Sequence, residues 1–324
     1  MSRIHEALKK AATERSAQLG SKPAPELVEL VGESLVEEAL VGQAPREVRR
    51  GVVDLGAPES AAFEKLIGRC RRTDWKANPR FSVFADEAHF HHGAEKFRTL
   101  RSRLYQIAAV RPLKRILITS SVPEEGKTFI ASNLAESIIR QEKMKVLLID
   151  ADLRASRLHM TLGAAAAPGL TDYLRGDAEE SQVIQVGSHD NLCFIPGGAT
   201  VSNPSELLHG QRMKALLDRL TPIFDWVILD SPPAVAVHDA SILADMCDGV
   251  LFVVRAGKTD FEIAQKAVAE FDEKNLLGVV LNRVDKSETY GDYYYGYAPE
   301  KEPKQKQRRV DAQPESPSKD QPKI

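Results

Sequence analysis

A short apolar run followed by a glycine-lysine-threonine triplet most constrains how this chain can fold. The run spans residues 115–119, the triplet is Gly126-Lys127-Thr128, and a helical pattern of apolar residues continues to Ile139. A strand that ends in such a loop at a helix start binds phosphate, because backbone N–H groups and the positive end of the helix face the phosphate oxygens. The lysine neutralises those oxygens, and the threonine hydroxyl reaches Mg²⁺. The feature therefore predicts a P-loop nucleotide site.

The loop departs from the usual phosphate-binding pattern at one position. That pattern, G-x-x-x-x-G-K-[ST], has glycine where this chain has Ser121. An ordinary strand-to-helix turn is the alternative interpretation, but strand, loop and helix follow one another as the pattern requires. The residues of this segment that we predict to contact the nucleotide are Ser121, Glu124, Glu125, Gly126, Lys127, Thr128 and Phe129.

Short runs of valine, isoleucine and leucine alternate with helical patterns through the middle of the chain. Such apolar strands separated by helices indicate an α/β fold, a mostly parallel sheet with helices on both faces. The strands are predicted at residues 115–120, 145–149, 191–195, 226–229, 250–254 and 278–281. The helices are predicted at residues 127–141, 205–220, 239–244 and 261–271. Ligands of these sheets bind beyond the carboxyl ends of the strands, where the phosphate loop lies.

Charge and cysteine content exclude some classes of protein. Lysine and arginine number 44 against 46 aspartates and glutamates, a formal net charge of −2, so no global basicity favours nucleic acid as a partner. The three cysteines are far apart and lack metal-site spacing. They fit a reducing compartment, where structural thiols are the ordinary interpretation.

The 324 residues divide into four predicted parts. We predict an amphipathic helix at residues 1–19. This helix either docks on a partner or a membrane surface or is solvated. Residues 20–85 mix proline, glycine and charge and predict a flexible linker, with a candidate helix near residues 26–40. Residues 86–287 form the predicted domain, and residues 288–324 hold a tyrosine cluster and a disordered tail. No apolar run reaches the roughly 18–20 residues that cross a bilayer.

Three aspartates follow two of the predicted strands. Asp150 and Asp152 come after the second strand, and Asp230 comes after the fourth. Mg²⁺ bound to phosphates takes one or two carboxylates and a hydroxyl, which suits Asp152, Asp230 and Thr128. Asp150 is then the favoured acceptor for the proton of an attacking hydroxyl group. Helix capping is the ordinary alternative for each aspartate taken alone.

With these motifs the chain resembles the deviant P-loop ATPases, which include cell-division and plasmid-partition ATPases and the bacterial tyrosine kinases. The segment from Asp150 to Arg154 is similar to the second Walker A-type motif of the kinases, which adds Arg154 to the expected ATP contacts. Partition-type relatives carry a lysine where this chain has Val122, so the resemblance to that branch is weaker. Asn282 resembles a base-contact position of related ATPases, with capping or turn chemistry as the alternative.

Tyrosines are concentrated near the carboxyl end. Five of the seven fall within eight residues, and they are Tyr290, Tyr293, Tyr294, Tyr295 and Tyr297. An aromatic tail used only for binding is one interpretation. Such clusters are also typical of autophosphorylating bacterial tyrosine kinases, and each phosphate gained adds about −1.5 to −2 charges. The resemblance therefore identifies these tyrosines as autophosphorylation sites.

A motif of the form E-x-x-R-x-x-R precedes the first strand and consists of Glu95, Arg98 and Arg101. On a helix these residues lie mostly opposite the apolar stripe of Phe97 and Leu100. A solvated face with a weak ion pair is the interpretation that spacing alone favours. In the tyrosine kinase family the same motif is the subunit contact of a ring-shaped oligomer, so the resemblance implies a ring-like homo-oligomer.

The resemblance covers about residues 85–297 and implies a stand-alone tyrosine autokinase of exopolysaccharide or capsule biosynthesis. Such an enzyme uses ATP and Mg²⁺, phosphorylates its own tyrosine cluster in trans and regulates polymerisation and export of the polysaccharide. Its implied partners are the cytoplasmic tail of a membrane-embedded chain-length regulator, which activates it, and a tyrosine phosphatase. The expected location is the cytoplasm, at the inner face of the plasma membrane.

Two other functions stay open on the sequence. One is a nucleotide-driven ATPase switch of the partition type, which phosphorylates no protein. The other is a polysaccharide-assembly scaffold whose nucleotide site is vestigial.

Overall fold

The computed structural model describes residues 28–31, 56–85, 87–141, 143–271 and 275–284. The strands are Val28–Val31 (β1), Arg71–Arg72 (β2), Arg115–Ser120 (β3), Val146–Asp150 (β4), Gln185–Val186 (β5), Leu192–Ile195 (β6), Trp226–Asp230 (β7), Gly249–Arg255 (β8) and Leu276–Asn282 (β9). The α-helices are Gly56–Ile67 (α1), Glu87–Val110 (α2), Lys127–Ile139 (α3), Leu158–Leu162 (α4), Leu170–Arg175 (α5), Glu180–Val183 (α6), Pro204–His209 (α7), Gln211–Leu220 (α8), Asp239–Ala244 (α9) and Phe261–Val268 (α10). The predicted amino-terminal helix and the tyrosine cluster lie outside the described residues.

The strands form one sheet in the order β1-β9-β8-β3-β7-β4-β6-β5-β2. From β9 to β6 all neighbouring strands are parallel, whereas β1 runs antiparallel to β9 and β5 antiparallel to β6. The prediction of a mostly parallel sheet is confirmed. Because β3 lies between β8 and β7, the loop that follows β3 is flanked by the carboxyl ends of two other strands.

Both faces of the sheet are buried, which explains why its strands are continuously apolar. Side chains alternate along each strand, so that Ile116 and Ile118 pack with α2 and α3, and Leu117 packs on the opposite face. On the face covered by α2 and α3, Phe97 is fully buried in the core. The opposite face packs against α8, α9 and α10. Helix α3 is thereby fixed against the sheet with its first residue, Lys127, at the end of the loop.

Part of the segment predicted as a flexible linker is instead folded. Helix α1 places Phe63 and Ile67 in the core, with the Phe63 ring edge-on to Phe224 at a centroid distance of 5.5 Å. Where a helix was expected near residues 26–40, residues Val28–Val31 pair as a strand with β9. The sequence does not predict these two elements because each packs against or pairs with residues that are distant in the chain.

The predicted helix over residues 205–220 is also divided. Gly210 has an extended conformation, with φ −64° and ψ 152°, and separates α7 from α8. The helix predicted to reach residue 271 ends at Val268, three residues earlier. Among the described residues, no helix has the length and apolarity needed to cross a membrane.

Replacing Phe63 with alanine tests whether α1 belongs to the fold. The ring is only 3% exposed, so its removal is expected to lower the free energy of unfolding by about 3 kcal/mol. The neighbouring exposed residue gives a control, Glu64→Ala, whose effect should stay within about 0.5 kcal/mol. Urea unfolding of both variants measures the difference. Equal stability of Phe63→Ala and the parent chain would show that α1 does not pack as described.

Candidate functional site

The phosphate loop has a backbone conformation that depends on glycine. Gly126 has a φ of 101° and is the residue immediately before α3. A Cβ atom at this position would lie 2.0 Å from Asn282 Nδ2, closer than real contacts allow. Glu124 also has a positive φ, of 66°. The turn thus brings the loop onto the start of α3, where phosphate-binding N–H groups are found in such folds.

Glu125 points into the protein and braces the loop. Its Oε2 accepts a 2.8 Å hydrogen bond from the Val122 N–H, and its Oε1 accepts one from the Thr259 hydroxyl. Burial raises the pKa of this carboxyl group. Any contact of Glu125 with a nucleotide would therefore come from its backbone. Sequence reasoning missed this role, because Thr259 is 134 residues away and no local pattern marks the pair.

Asn282 supports the same loop from β9. Its Nδ2 donates a 2.8 Å hydrogen bond to the Glu125 carbonyl oxygen, and its Oδ1 accepts one from the Arg283 N–H at 3.0 Å. These two hydrogen bonds give Asn282 a bracing role, and its contact with a nucleotide base stays a prediction.

The other loop residues predicted to bind nucleotide lie around the same turn. Ser121 is fully buried, whereas the side chain of Glu124 is exposed. Phe129 is half-buried, and its ring packs edge-on to Phe97 with a centroid distance of 5.9 Å. Lys127 is buried except for 8% of its surface. The serine that replaces the first glycine of the usual pattern is therefore accommodated inside the fold.

Two carboxyl groups are buried next to each other near Lys127. Asp150 and Asp230 are paired in register on β4 and β7, and the Thr128 hydroxyl donates a 2.6 Å hydrogen bond to Asp230 Oδ2. Burial raises the pKa of both groups, and the nearby Asp150 raises that of Asp230 further while Lys127 acts in the opposite direction. Oδ1 of each aspartate has no hydrogen-bond partner among the described residues.

The segment after β4 is held by the same aspartate and a neighbour. Asp150 Oδ2 accepts hydrogen bonds from the Ser156 hydroxyl at 2.7 Å and from the Leu158 N–H at 3.0 Å. Asp152 Oδ1 accepts the Ala155 N–H at 3.0 Å, which closes the turn. The structure thus places Asp150, Asp152 and Asp230 together at the carboxyl ends of two neighbouring strands, as we predict from the sequence.

Arg154 is oriented by a partner that sequence reasoning did not find. Its Nε lies 2.8 Å from Oδ2 of Asp239, a fully buried carboxylate at the start of α9, and its Nη2 donates to the Ser205 hydroxyl at 2.9 Å. Ser205 in turn donates to Asp239. The guanidinium group is therefore part of a network between the β4 loop, α7 and α9.

A cavity of about 840 Å³ lies beside these groups, although Asp150 and Asp230 are themselves buried and do not line it. Its walls come from the phosphate loop, the segment after β4 and the segment after β7, which contributes Pro232 and Pro233. Lys127, Thr128 and Asp152 all line it, and its size is that of a small-molecule site. The cavity lies beyond the carboxyl ends of the strands, the position that this sheet topology predicts for a ligand.

The donor set fits a magnesium ion shared with phosphates. Among the described residues, no group of three or more histidine, cysteine, aspartate or glutamate side chains is arranged to hold a metal alone. Mg²⁺ normally takes only one or two carboxylates here and completes its octahedron with phosphate oxygens and water. The Thr128 hydroxyl and the unpartnered Asp230 oxygen supply oxygen ligands of the required kind.

Residues of the E-x-x-R-x-x-R motif make contacts within the chain. Arg98 and Glu95 form the i,i+3 ion pair expected from their spacing, with Nη1 and Oε1 2.5 Å apart. The Arg101 guanidinium instead donates to the Ser137 carbonyl oxygen near the end of α3. All three residues are half-exposed. Arg101 therefore links α2 to the helix that begins at the phosphate loop, a contact that spacing did not suggest.

Replacing Asp230 with asparagine is expected to stabilise the ligand-free protein by about 1 kcal/mol, because an amide buries no charge beside Asp150 and still accepts the Thr128 hydrogen bond. The matched control is Asp248→Asn. That carboxylate accepts the Lys114 and Arg115 N–H groups at 2.8 and 2.7 Å, so removal of its charge weakens two charge-assisted hydrogen bonds and should destabilise the fold. Urea unfolding measures both. Equal destabilisation by the two changes would contradict the account of Asp230.

Replacing Gly126 with alanine should weaken nucleotide binding at least about tenfold, since the new Cβ collides with Asn282 and the positive φ is strained. Titration with a fluorescent ADP analogue measures the dissociation constant. The control is Gly176→Ala, where φ is +89° but the nearest atom would be 3.7 Å away. It should cost about 1 kcal/mol of stability and leave affinity unchanged. Unaltered affinity in Gly126→Ala would refute the role of the turn.

Comparison with known proteins agrees with this geometry. A family model described as an AAA domain matches residues 115–270. Tyrosine-protein kinase YwqD of Bacillus subtilis is 38% identical over 207 residues, covering 63% of this chain and 86% of the relative. Tyrosine-protein kinase CpsD of Streptococcus agalactiae is 38% identical over 184 residues, 55% of this chain and 80% of the relative.

Solved structures of similar proteins support the same relationship. The kinase domain of the Escherichia coli tyrosine kinase ETK matches with a TM-score of 0.56 and 34% identity, covering 64% of this chain and 81% of that domain. The chimerical protein CapA2B2 matches with a TM-score of 0.60 and 27% identity, covering 70% of this chain and 99% of the chimera. With its phosphate loop, paired buried aspartates and these relatives, the chain belongs to the bacterial tyrosine kinase family.

Proposed function

We propose that this chain transfers the γ-phosphoryl group of ATP to tyrosine hydroxyls, chiefly those of residues 290–297 in another copy of itself. The observation that carries the proposal is the placement of Asp150 and Asp230 beside Lys127 and Thr128 at the phosphate loop. Phosphoryl transfer needs a lysine, a metal-binding hydroxyl and carboxylates in this proximity. Membership in the tyrosine kinase family supports tyrosine as the acceptor.

The loop and the aspartates have separate roles in this reaction. Lys127 and the loop N–H groups stabilise the negative charge that builds on the transferring phosphoryl oxygens. Thr128, Asp152 and Asp230 would hold Mg²⁺, which when bound neutralises charge on the β- and γ-phosphates. Asp152 is suited to this because it lines the cavity.

The chemical step exchanges one P–O bond for another. The tyrosine oxygen bonds to the γ-phosphorus while the bond from that phosphorus to the bridging oxygen breaks, and ADP leaves with the electron pair. The phenolic proton passes to Asp150, whose Oδ1 has no partner among the described residues. Burial raises the pKa of this carboxyl group towards the range in which a side chain exchanges protons efficiently.

The composition of residues 288–297 supports the tyrosine cluster as the acceptor, because five of these ten residues are tyrosines. We assign the transfer between copies to a ring-like oligomer in contact through Glu95, Arg98 and Arg101.

The wider role rests on family membership alone. We propose that phosphorylation regulates polymerisation and export of an exopolysaccharide or capsule. The activating partner would be the cytoplasmic tail of a membrane-embedded chain-length regulator, which recruits the kinase to the inner face of the plasma membrane. A tyrosine phosphatase would reverse the modification.

Replacing Lys127 with methionine should abolish phosphate transfer, because the cation that neutralises the phosphoryl oxygens is lost. The purified chain is incubated with ATP and Mg²⁺, with and without the tail of the proposed activator, and phosphotyrosine is mapped by mass spectrometry. Phosphate is expected on residues 290–297 of the parent and at least about a hundredfold less in Lys127→Met. The matched control is Lys266→Met, an exposed lysine on α10, which should behave like the parent.

Two outcomes of this experiment would contradict the proposal. Release of free phosphate with unmodified tyrosines, even with the activator tail present, would indicate an ATPase switch of the partition type. Absence of nucleotide binding would indicate a scaffold with a vestigial site.

A further inference from the structure

A second cavity, of about 760 Å³, lies at the amino ends of the parallel strands, at the opposite end of the sheet from the phosphate loop. It is called the amino-end cavity below. Ligands of parallel sheets bind at the carboxyl ends of the strands, so the proposed phosphate transfer does not account for it. Its lining includes the end of α2 and residues that shortly precede β3, β4, β7 and β8, namely Ala109, Lys114, Met144, Asp225 and Asp248.

One wall of the amino-end cavity is apolar. The ring of Tyr105 stacks on that of Trp226 with a centroid distance of 5.4 Å, and both residues line the cavity together with Ala108 and Leu113. Val110, the last residue of α2, follows this wall directly in sequence and is 69% exposed. An apolar wall that continues into an exposed valine is typical of a surface that another segment covers.

Charged groups of the cavity lining are already hydrogen-bonded within the chain. Asp248 accepts the Arg115 N–H at 2.7 Å, and Asp225 accepts the Lys145 N–H at 2.7 Å. The Arg115 guanidinium group donates to the Thr221 hydroxyl at 2.6 Å. A charged ligand would have to compete for these hydrogen bonds, whereas an apolar segment would cover the wall and leave them intact. The cavity therefore suits an apolar occupant.

A segment of the same chain, residues 32–55, is connected at both ends to this end of the sheet. It lies outside the described residues and joins β1 to α1. Because β1 runs antiparallel to β9, its last residue, Val31, leads towards the amino ends of the parallel strands. Helix α1 packs there too, since its Phe63 contacts Phe224, two residues before β7, and the Lys145 amine lies 5.0 Å from the Phe63 ring centroid.

The sheet order places the amino-end cavity between these two attachment points. Strands β8, β3 and β7 separate β9 from β4, so the direct distance from β9 to β4 is about 19 Å at the usual strand spacing. Residues 32–55 can span up to about 80 Å when extended, which leaves ample length for a packed element on the way. The residues that precede β8, β3, β7 and β4 line the cavity, so it lies on the direct path from β1 to α1.

The sequence of this segment contains one apolar helical pattern. Ser34 and Glu37 have the S-x-x-E spacing of a capping box, which predicts a helix start, and Gly42 is a candidate stop. The apolar residues of the pattern share one face at helical spacing, and they are Leu35, Val36, Ala39 and Leu40. The pattern predicts a short amphipathic helix over residues 34–41, with an apolar face that needs a partner.

We propose that residues 34–41 pack in the amino-end cavity of the same chain, with their apolar face against Tyr105 and the end of α2. The position of the cavity between the two attachment points, its apolar wall and its internally paired charges support this occupant. Helix α2 also carries the E-x-x-R-x-x-R motif. The contact therefore links the amino-terminal segment to the helix that holds the proposed subunit contact.

Disulfide trapping in the full chain tests the contact. In Leu40→Cys/Ala109→Cys, mild oxidation should join the two new cysteines in most molecules, and peptide mapping by mass spectrometry identifies the pair. One control is Leu40→Cys/Thr99→Cys, with an exposed α2 residue about 15 Å along the helix from Ala109. The other is Val53→Cys/Ala109→Cys, from the same segment outside the pattern. Both controls should form at least about fivefold less disulfide. Oxidation of a mixture of ¹⁵N-labelled and unlabelled chains distinguishes bonds within a chain from bonds between chains.

Hydrogen exchange gives a second measurement that needs no cysteine. In Leu35→Glu/Leu40→Glu, the backbone amides of residues 105–115 should exchange at least about fivefold faster than in the parent, because charge on the apolar face prevents packing. The matched control, Val52→Glu/Val53→Glu, should exchange like the parent. Equal exchange in all three chains, or trapping no more frequent than in the cysteine controls, would overturn the proposal. Disulfides found only between chains would assign the cavity to a second copy and would overturn it as well.

Discussion

Two aspartate carboxyl groups, buried side by side at the ends of β4 and β7, are the constraint on which the site depends. Burying neighbouring carboxyl groups costs folding free energy unless cations or hydrogen bonds compensate. The fold compensates only in part, through the Thr128 hydroxyl, the Ser156 hydroxyl and the charge of Lys127. The Oδ1 atom of each aspartate has no hydrogen-bond partner among the described residues, which supports the proposed cation site.

Aspartates at the amino ends of the strands have a different role from those at the carboxyl ends. At the amino ends, Asp248 accepts two backbone N–H groups from the start of β3, and Asp225 accepts the Lys145 N–H at 2.7 Å. Those carboxylates fasten loops to strands. Asp150 and Asp230 belong to the same residue type and the same sheet, but the oxygen that each leaves without a hydrogen-bond partner in the described part of the chain is buried. This difference supports the ligand-binding role that we propose for them.

The parallel sheet and the aspartate edge could be predicted from the sequence, because continuous apolar strands and the residues that follow them are local signals. The contacts that shape the site could not. Glu125 meets Thr259, Arg154 meets Asp239, and Asn133 holds Phe81, each across more than 50 residues. Helix α1 was missed for a similar reason, since its buried residues are few and their partner, Phe224, is distant in sequence.

A crystal structure of the chain with Mg²⁺ and a non-hydrolysable ATP analogue tests the central claim most directly. The account predicts phosphates on the loop that ends at Lys127, and a Mg²⁺ about 2.1 Å from the Thr128 hydroxyl, bound directly or through one water to Asp230 or Asp152. The γ-phosphate should then face the β4 side of the cavity. A nucleotide bound with its phosphates away from this loop, or a metal with no link to either aspartate, would contradict it.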